Sequence, residues 1–282
     1  MRHDDAKVIF RNPDGVVTYG DIVNTLLKVG ADDCDILFVH SDVSFGVVEK
    51  GIKRKELKEI LVDALLDTGV KTIMFPTFTF SFCNKEAYDV ENSPTAMGMI
   101  PDYVRKREDA HRTDDPIMSV AILGDKTGFE KMSGSSSCGE GGIFHQLHTC
   151  GKKVLFLFFG TVVTKCFTYL HYVEEMKKVK YRYTKEFTGD VISQGEREQK
   201  KVQVYVRYKD VIATLPSGFS DDLEKNGIMK QEKLGNSSVS IVDERKSFEY
   251  IGNLIDNNPY VFSILPDGEL VEEYTYGNVV TM

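Results

Sequence analysis

The sequence has no hydrophobic run long enough to cross a bilayer as a helix, and residues 1–5 do not begin the apolar core of a secretory signal peptide. Positive charge is also in deficit, because 35 lysines and arginines stand against 43 aspartates and glutamates, for a formal net charge of -8. This argues against general nucleic-acid binding, although it leaves room for a local basic pocket around an anionic cofactor. We therefore expect a cytoplasmic protein that binds neither membrane nor nucleic acid, and leave open whether it forms a homo-oligomer.

Cysteine is scarce and its spacing is irregular. The five cysteines are Cys34, Cys83, Cys138, Cys150 and Cys166, and no two form a Cys-x-x-Cys motif. An odd number of scattered cysteines argues against a disulfide framework and against a structural zinc site. We expect no metal. Cys166 lies nearest to the candidate site described below, but a thiol without an activating neighbour is more often a small buried residue than a nucleophile.

Short apolar runs alternate with amphipathic segments along the chain, the pattern of an α/β protein. Strands are predicted at 35–40, 72–76, 117–123 and 152–160, and helices at 53–67, 99–106, 143–150, 217–226 and 243–257. The apolar run at 152–160 is typical of a strand buried on both faces of a sheet. Strands separated by helices predict a three-layer α/β/α sandwich around a mostly parallel or mixed sheet.

The composition changes in the second half of the chain. Two runs rich in β-branched and aromatic residues, 181–189 and 201–208, flank a turn-like segment at 193–196. They predict a hairpin or small β-rich lobe at about 180–210. Because no repeat and no low-complexity linker divides the chain, we expect residues 1–282 to form a single domain with this excursion.

The segment at 168–175 carries the strongest candidate chemistry. His171 and Glu174 are three residues apart in a stretch predicted to be helical, so they share a helix face. A carboxylate beside a histidine holds one tautomer and favours the imidazolium, an arrangement that suits a general base. The same spacing also suits a surface polar pair. The helix follows the strand at 152–160, and open α/β sheets bind ligands at that edge, which favours the catalytic interpretation.

The loop after the first predicted strand combines hydroxyl residues with glycine. It contains His40, Ser41, Ser44 and Gly46. Backbone N–H groups in such a loop can face a phosphate or a thioester-bearing ligand. The loop matches neither the Walker motif nor the dinucleotide fingerprint, which argues against nucleoside triphosphates and nicotinamide cofactors. A histidine at a strand end, such as His40, is more often structural than catalytic.

Cations cluster at 105–107 and at Arg112 against the acidic background of the chain. Guanidinium groups there can bind phosphates in a bidentate manner. A solvated helix end explains Lys106 and Arg107 equally well.

Four segments carry a family resemblance: 38–46, 74–79, 112–119 and 168–174. In this order they resemble the aminoglycoside 3-N-acetyltransferase family, and the likeness extends over about 21–265. The resemblance implies the antibiotic N-acetyltransferase fold, acetyl-CoA as the donor and a small-molecule amine as the acceptor. It also implies direct transfer of the acetyl group in a ternary complex.

The resemblance implies roles for individual residues. His171 is similar to the family's histidine base, and Glu174 to the carboxylate that orients it. An ammonium group must lose a proton before its nitrogen can attack a thioester, so a base beside that nitrogen is chemically reasonable. Thr168 is expected on the substrate side, where hydroxyl or main-chain N–H groups could stabilise an oxyanion. The expected donor-side residues are His40, Ser41, Ser44, Arg112 and Thr113.

One departure from the family pattern concerns the acceptor. Where the antibiotic enzymes usually show His-Pro, this chain has Asp115-Pro116, similar to family members that acylate nucleotide-carried amino sugars for surface polysaccharides. Asp115 could attract a cationic acceptor or simply cap a turn. Cations near the predicted lobe suit a diphosphate and would repel a polycation; they are Lys180, Arg182, Lys185 and Arg207. We therefore expect a nucleotide-linked amino sugar as the acceptor.

Two alternatives remain. Aminoglycoside acetylation, which confers antibiotic resistance, would require several carboxylates around a polycationic acceptor. The candidates are Asp114, Asp115, Glu174, Glu175, Asp221 and Asp222. The second alternative is a non-catalytic CoA-binding protein, but such a protein would not need both His171 and Glu174.

Overall fold

A seven-stranded mixed sheet forms the centre of the protein in a computed structural model that describes residues 2–274. The strands are β1 (Val8–Asn12), β2 (Gly15–Thr18), β3 (Ile36–Ser41), β4 (Val47–Val48), β5 (Thr72–Pro76), β6 (Tyr88–Asp89), β7 (Ala110–Arg112), β8 (Val120–Gly124), β9 (Val154–Phe159), β10 (Arg182–Ser193), β11 (Glu196–Arg207), β12 (Ile212–Ala213), β13 (Met229–Leu234), β14 (Ser237–Asp243) and β15 (Ser263–Ile264). The helices are α1 (Tyr19–Val29), α2 (Arg54–Leu66), α3 (Met99–Val104), α4 (Ile143–Thr149), α5 (Val163–Cys166), α6 (Tyr169–Met176), α7 (Phe219–Lys225) and α8 (Glu244–Asn257). Within the described range, no helix combines the length and the apolar character needed to cross a membrane.

The central strands of this sheet are parallel and the outer ones antiparallel. The spatial order is β13-β14-β9-β3-β5-β8-β7. Strands β9, β3 and β5 run in the same direction, whereas the other neighbouring strands pair antiparallel. The predicted α/β class is confirmed, and the sheet is mixed.

Alternate residues of the central strands point to opposite faces and enter two separate hydrophobic cores. Phe38 and Phe156 belong to the core shared with α4, α6 and α8. Leu37 and Leu155 belong to the core shared with α1 and α2. Helices therefore cover both faces of the sheet, which confirms the predicted three-layer sandwich.

The structure contains strands that the sequence analysis did not predict. β13 and β14 form a hairpin at one edge of the sheet, and β2-β1-β4 form a small sheet near the N-terminus. β13 reads Met-Lys-Gln-Glu-Lys-Leu, which is polar because an edge strand keeps much of its surface in water. The strand predicted at 117–123 begins only at Val120, because the Asp115 side chain accepts hydrogen bonds from the N–H groups of Ile117 and Met118 and holds a turn there.

The predicted hairpin is present and is long. β10 and β11 pair along their whole length. Gln194 and Gly195 form the two-residue turn with φ angles of 53° and 83°, as tight hairpin turns with the matching twist require. The chain reaches the hairpin shortly after α6, and Tyr181 at its base hydrogen-bonds to Glu174 in that helix.

Candidate active site

Loops converge at the carboxyl ends of the parallel strands. Because β3, β5 and β9 run in the same direction, the residues that follow them emerge at one edge of the sheet. The segment before β8 reaches the same edge, since Val120 pairs with Pro76 at the end of β5. Ser44 Oγ donates to the Gly160 carbonyl at 2.9 Å and joins the loops after β3 and β9. Ligands bind at this edge in open α/β sheets.

His171 and Glu174 lie together in α6, which follows β9 beyond that edge. Nδ1 of His171 is 3.1 Å from Oε2 of Glu174. Their side chains are only 4% and 2% exposed. The helical pair predicted from the spacing therefore forms in the protein interior and is not a surface ion pair.

Glu174 has partners that the spacing along the sequence does not indicate. The Tyr181 hydroxyl donates to Oε1 at 2.6 Å, and Nη2 of Arg182 lies 2.8 Å from Oε2. The same Nη2 is 3.0 Å from Nδ1 of His171, and Nη1 donates to the Tyr205 carbonyl at 2.9 Å. The structure therefore corrects the expectation that Arg182 serves a substrate diphosphate, because this buried guanidinium is paired with Glu174.

The electrostatics of the pair also differ from the expectation. Burial raises the pKa of Glu174, but the charge of Arg182 and the hydrogen bonds from His171 and Tyr181 outweigh it and bring that pKa to about 2. Burial and the charge of Arg182 lower the pKa of His171, and Glu174 does not compensate for them. The neutral imidazole is thus favoured over the imidazolium predicted from the spacing. A neutral ring is the form that can accept a proton.

Three expected ligand-binding residues carry buried polar atoms without a hydrogen-bond partner within residues 2–274. These atoms are Nε2 of His40, Oγ of Ser41 and Oγ1 of Thr168. The His40 ring stacks on Phe158 with centroids 5.1 Å apart, and burial lowers its pKa to about 3, so the ring is neutral. Because buried polar atoms are normally paired, these three fit a ligand that offers hydrogen-bonding groups.

Arg112 and Thr113 use their polar atoms within the protein. Arg112 is buried and donates to three backbone carbonyls and to the Thr77 hydroxyl. The Thr113 hydroxyl accepts a hydrogen bond from the N–H of Val120. Both side chains therefore support the loops, and their contact with acetyl-CoA stays a prediction.

Asp115, which is buried, and Glu175, which is half-buried, each keep one buried carboxylate oxygen without a hydrogen-bond partner among the described residues. Asp115, which caps the turn before β8, also accepts from Ser137 Oγ at 2.7 Å. Glu175 lies one helical turn beyond His171 and accepts from Ser136 Oγ at 2.7 Å. Burial raises the pKa of both carboxyl groups. A cation bound beside them would relieve the cost of their burial.

The other carboxylates proposed for an acceptor site are placed differently. Asp114 forms an ion pair with Lys200 at 2.7 Å. Asp221 and Asp222 lie in the first turn of α7, a separate helix from the one that carries His171. Of the six carboxylates proposed for an acceptor site, only Asp115 and Glu175 have a buried oxygen without a hydrogen-bond partner among the described residues.

A cleft of about 650 Å³ lies beside β7 and the hairpin tip, and its lining residues do not include His171. The predicted cation cluster contributes to this cleft. Arg105 pairs with Asp102, and Arg107 pairs with Asp109. Much of the positive charge available for phosphate there is already neutralised.

The metal-ligating side chains and the thiol nearest to the site also bear on its chemistry. Across residues 2–274, the His, Cys, Asp and Glu side chains form no group of three that could hold a metal ion. Burial raises the pKa of the Cys166 thiol to about 11. At neutral pH this thiol is protonated, which argues against a nucleophilic role.

Comparisons with known proteins identify the family of the chain. The family model described as aminoglycoside 3-N-acetyltransferase matches residues 38–256. This span includes His40 and the whole of α6. A search of curated proteins finds no match.

Several solved structures share the fold at low sequence identity. The aminoglycoside acetyltransferase AAC(3)-Xa is 20% identical, with a TM-score of 0.70 over 86% of this chain and 94% of the other. The YokD protein of Bacillus subtilis is 18% identical, with a TM-score of 0.66 over 86% of this chain and 94% of the other. AAC-IIIb in a binary complex with CoASH is 16% identical, with a TM-score of 0.66 over 85% of this chain and 96% of the other. At these identities, the likeness shows the fold alone.

Proposed function

Because this chain belongs to the aminoglycoside 3-N-acetyltransferase family, we propose that it moves an acetyl group from acetyl-CoA to a primary amine with His171 as the general base. The observation that carries the base assignment is the buried contact of 3.1 Å between His171 Nδ1 and Glu174 Oε2. As a member of this family the chain is an N-acetyltransferase, and the residue roles are our proposal.

The reaction requires a proton to leave the acceptor nitrogen. We assign the proton of the neutral ring to Nδ1, which donates to Glu174, so that Nε2 keeps the lone pair. Nη2 of Arg182, which can only donate, then directs its hydrogen to Oε2 of Glu174 and does not hydrogen-bond to Nδ1. Nε2 first takes one proton from the ammonium, and the neutral amine then attacks the thioester carbonyl. As the C–N bond forms and the C–S bond breaks, the nitrogen loses its second proton to the leaving thiolate, and Nε2 afterwards releases its proton to solvent. Oxyanion stabilisation falls to hydroxyl or N–H groups near Thr168.

Donor binding is supported by the unpartnered polar atoms of Ser41, Thr168 and His40. The structure of AAC-IIIb is a binary complex with CoASH, which supports acetyl-CoA as the donor here. Acetyl-CoA, when bound, supplies the activated thioester. Ser41, at the end of β3, and Thr168, just before α6, are the residues that we propose to contact it. Thr168 was expected on the substrate side, and we propose that it contacts the acetyl group instead because the oxyanion develops on the thioester carbonyl.

Acetyl-CoA should raise the melting temperature of the protein, because a ligand that binds only the folded state stabilises it. At about 100 times Kd the shift should be about 5 °C or more. Ser41→Ala and Thr168→Val should reduce the shift, whereas Thr188→Val, at an exposed position of the hairpin, should not. Desulfo-CoA should act similarly and chelators should have no effect. Activity abolished by a chelator and restored by zinc would contradict this account.

For the acceptor, the family match favours the aminoglycoside alternative over the nucleotide-linked amino sugar expected from Asp115-Pro116. Two of the cations predicted to bind a diphosphate are in the protein interior: Arg182 forms an ion pair with Glu174, and Arg207 is buried. The unpartnered oxygens of Asp115 and Glu175 suit a cationic amine instead. We therefore propose an aminoglycoside-type polyamine as the acceptor.

We expect a gentamicin-type aminoglycoside to be acetylated with a higher kcat/KM than any nucleotide-linked amino sugar, in an assay of free thiol release. Glu175→Gln should raise the acceptor KM about tenfold, because a hydrogen bond to a charged group is lost, with less change in kcat. Glu186→Gln, on the outer face of the hairpin, is the matched control. Turnover of the nucleotide sugars with none of the antibiotic would restore the amino-sugar hypothesis.

A further inference from the structure

One nitrogen of Arg182 contacts both members of the proposed catalytic pair. Nη2 lies 2.8 Å from Oε2 of Glu174 and 3.0 Å from Nδ1 of His171. A guanidinium can only donate hydrogen bonds, so it competes with the imidazole for the same carboxylate oxygen. The other oxygen accepts from Tyr181. The charge of Glu174 is therefore compensated before the ring takes up any proton.

We propose that Arg182 is a positioning residue that keeps His171 in its neutral, proton-accepting form by sharing Glu174 with the ring. This inference rests on the proposed role of His171 as the general base. Without the guanidinium, a buried carboxylate 3.1 Å from the ring would stabilise the imidazolium. A ring that is already protonated cannot accept the proton of the substrate amine.

The other groups around the ring support this arrangement. Arg207, which pairs across the hairpin with Arg182, adds a second positive charge that lowers the pKa of His171. Burial raises the pKa of Tyr205 to about 12 and raises that of Glu175. Burial also raises the pKa of the Cys138 thiol, which is therefore uncharged. Glu174 and Glu175 share the helix of His171, and the groups on neighbouring segments are Tyr181, Arg182, Tyr205, Arg207 and Cys138. Helices α4 and α8 also pack against α6, and their His148 and Glu244 pair with each other.

Arg182→Gln removes the charge and keeps a donor for Glu174. The acidic limb of the kcat/KM profile, where His171 becomes protonated, should move to higher pH by about one unit or more, because removal of the positive charge raises the pKa of the ring. Arg182→Lys keeps the charge, so the limb should stay near its wild-type position even if kcat falls. Arg197→Gln, on the exposed part of the hairpin, should change neither quantity. A merely structural role for Arg182 would reduce activity without moving the limb.

An NMR titration of the His171 ring in the absence of acetyl-CoA tests the inference independently of turnover. In the wild-type protein the ring should titrate below about 6.5, the usual histidine pKa, and in Arg182→Gln it should titrate higher. If Arg182→Gln does not fold, a wild-type ring that titrates at or above the usual value overturns the inference. A folded Arg182→Gln protein with an unchanged ring titration also overturns it. Absence of acetyl transfer by the wild-type protein would refute the proposed function and leave the NMR result to decide the role of Arg182.

Discussion

Replacement of His171 by glutamine should lower kcat/KM for acetyl transfer by about a hundredfold to ten-thousandfold, the usual contribution of a general base. Glutamine is similar in size and can still hydrogen-bond to Glu174, but it cannot take up a proton. The loss in kcat/KM should therefore come mainly from a lower kcat. Acetyl-CoA binding, measured by calorimetry, should be largely retained, because the proposed donor contacts come from Ser41 and Thr168.

The control for this substitution is His3→Gln. His3 pairs with Asp63, far along the sequence from α6, and its side chain is partly exposed. Its loss should leave acetyl transfer within about twofold of wild type, as expected for a surface substitution. If the His171→Gln enzyme kept turnover within a few-fold of wild type at neutral pH, the assignment of His171 as base would fail.

Replacement of Glu174 by alanine should have the largest effect on stability. It would leave the Arg182 guanidinium buried without its carboxylate and the Tyr181 hydroxyl without its acceptor. Breaking one side of a buried ion pair typically costs about 3–5 kcal/mol. Glu174→Gln keeps an acceptor oxygen for Tyr181 and should cost less. Urea unfolding of the two variants at neutral pH measures the difference, and Glu186→Ala, an exposed partner of Lys201 on the hairpin, should stay within about 0.5 kcal/mol of wild type.

The pH dependence of this effect follows from the lowered pKa of Glu174. A carboxyl group whose pKa falls from 4.5 to about 2 on folding binds its proton less tightly in the folded state. Its stabilisation is therefore complete above 4.5 and is lost as the pH falls through about 2. The stability gap between wild type and Glu174→Gln should narrow over that range. A gap that stays constant down to pH 2 would show that the charge of Glu174 contributes nothing.

Glu174→Gln also separates orientation from direct participation. The imidazole survives in this variant, so acetyl transfer should fall less than in His171→Gln. Equal losses in the two variants would indicate that Glu174 contacts the substrate itself.

The pair at the centre of the site was predictable because its geometry is local. Residues three apart in a helix share a face whatever the rest of the fold does, so the spacing of His171 and Glu174 alone indicated their contact. The buried strand at 152–160 was equally readable, since an unbroken apolar run has few other uses in a protein of this composition. The polar edge strand β13 was missed because its sequence reflects solvent on an exposed edge.

The electrostatic state of the pair was decided by the tertiary structure. Arg182 lies 11 residues beyond His171, and it meets Glu174 only because the chain reverses after α6 and the hairpin packs against that helix. The spacing alone predicted an imidazolium, whereas burial and the charges of Arg182 and Arg207 favour the neutral ring. Asp115 likewise combines local and distant contacts. Its hydrogen bonds to the turn join residues two and three apart, whereas its hydrogen bond to Ser137 joins residues 22 apart. Local pattern specifies which side chains can share a face, while desolvation and distant charges, which set protonation, depend on how the whole chain is folded.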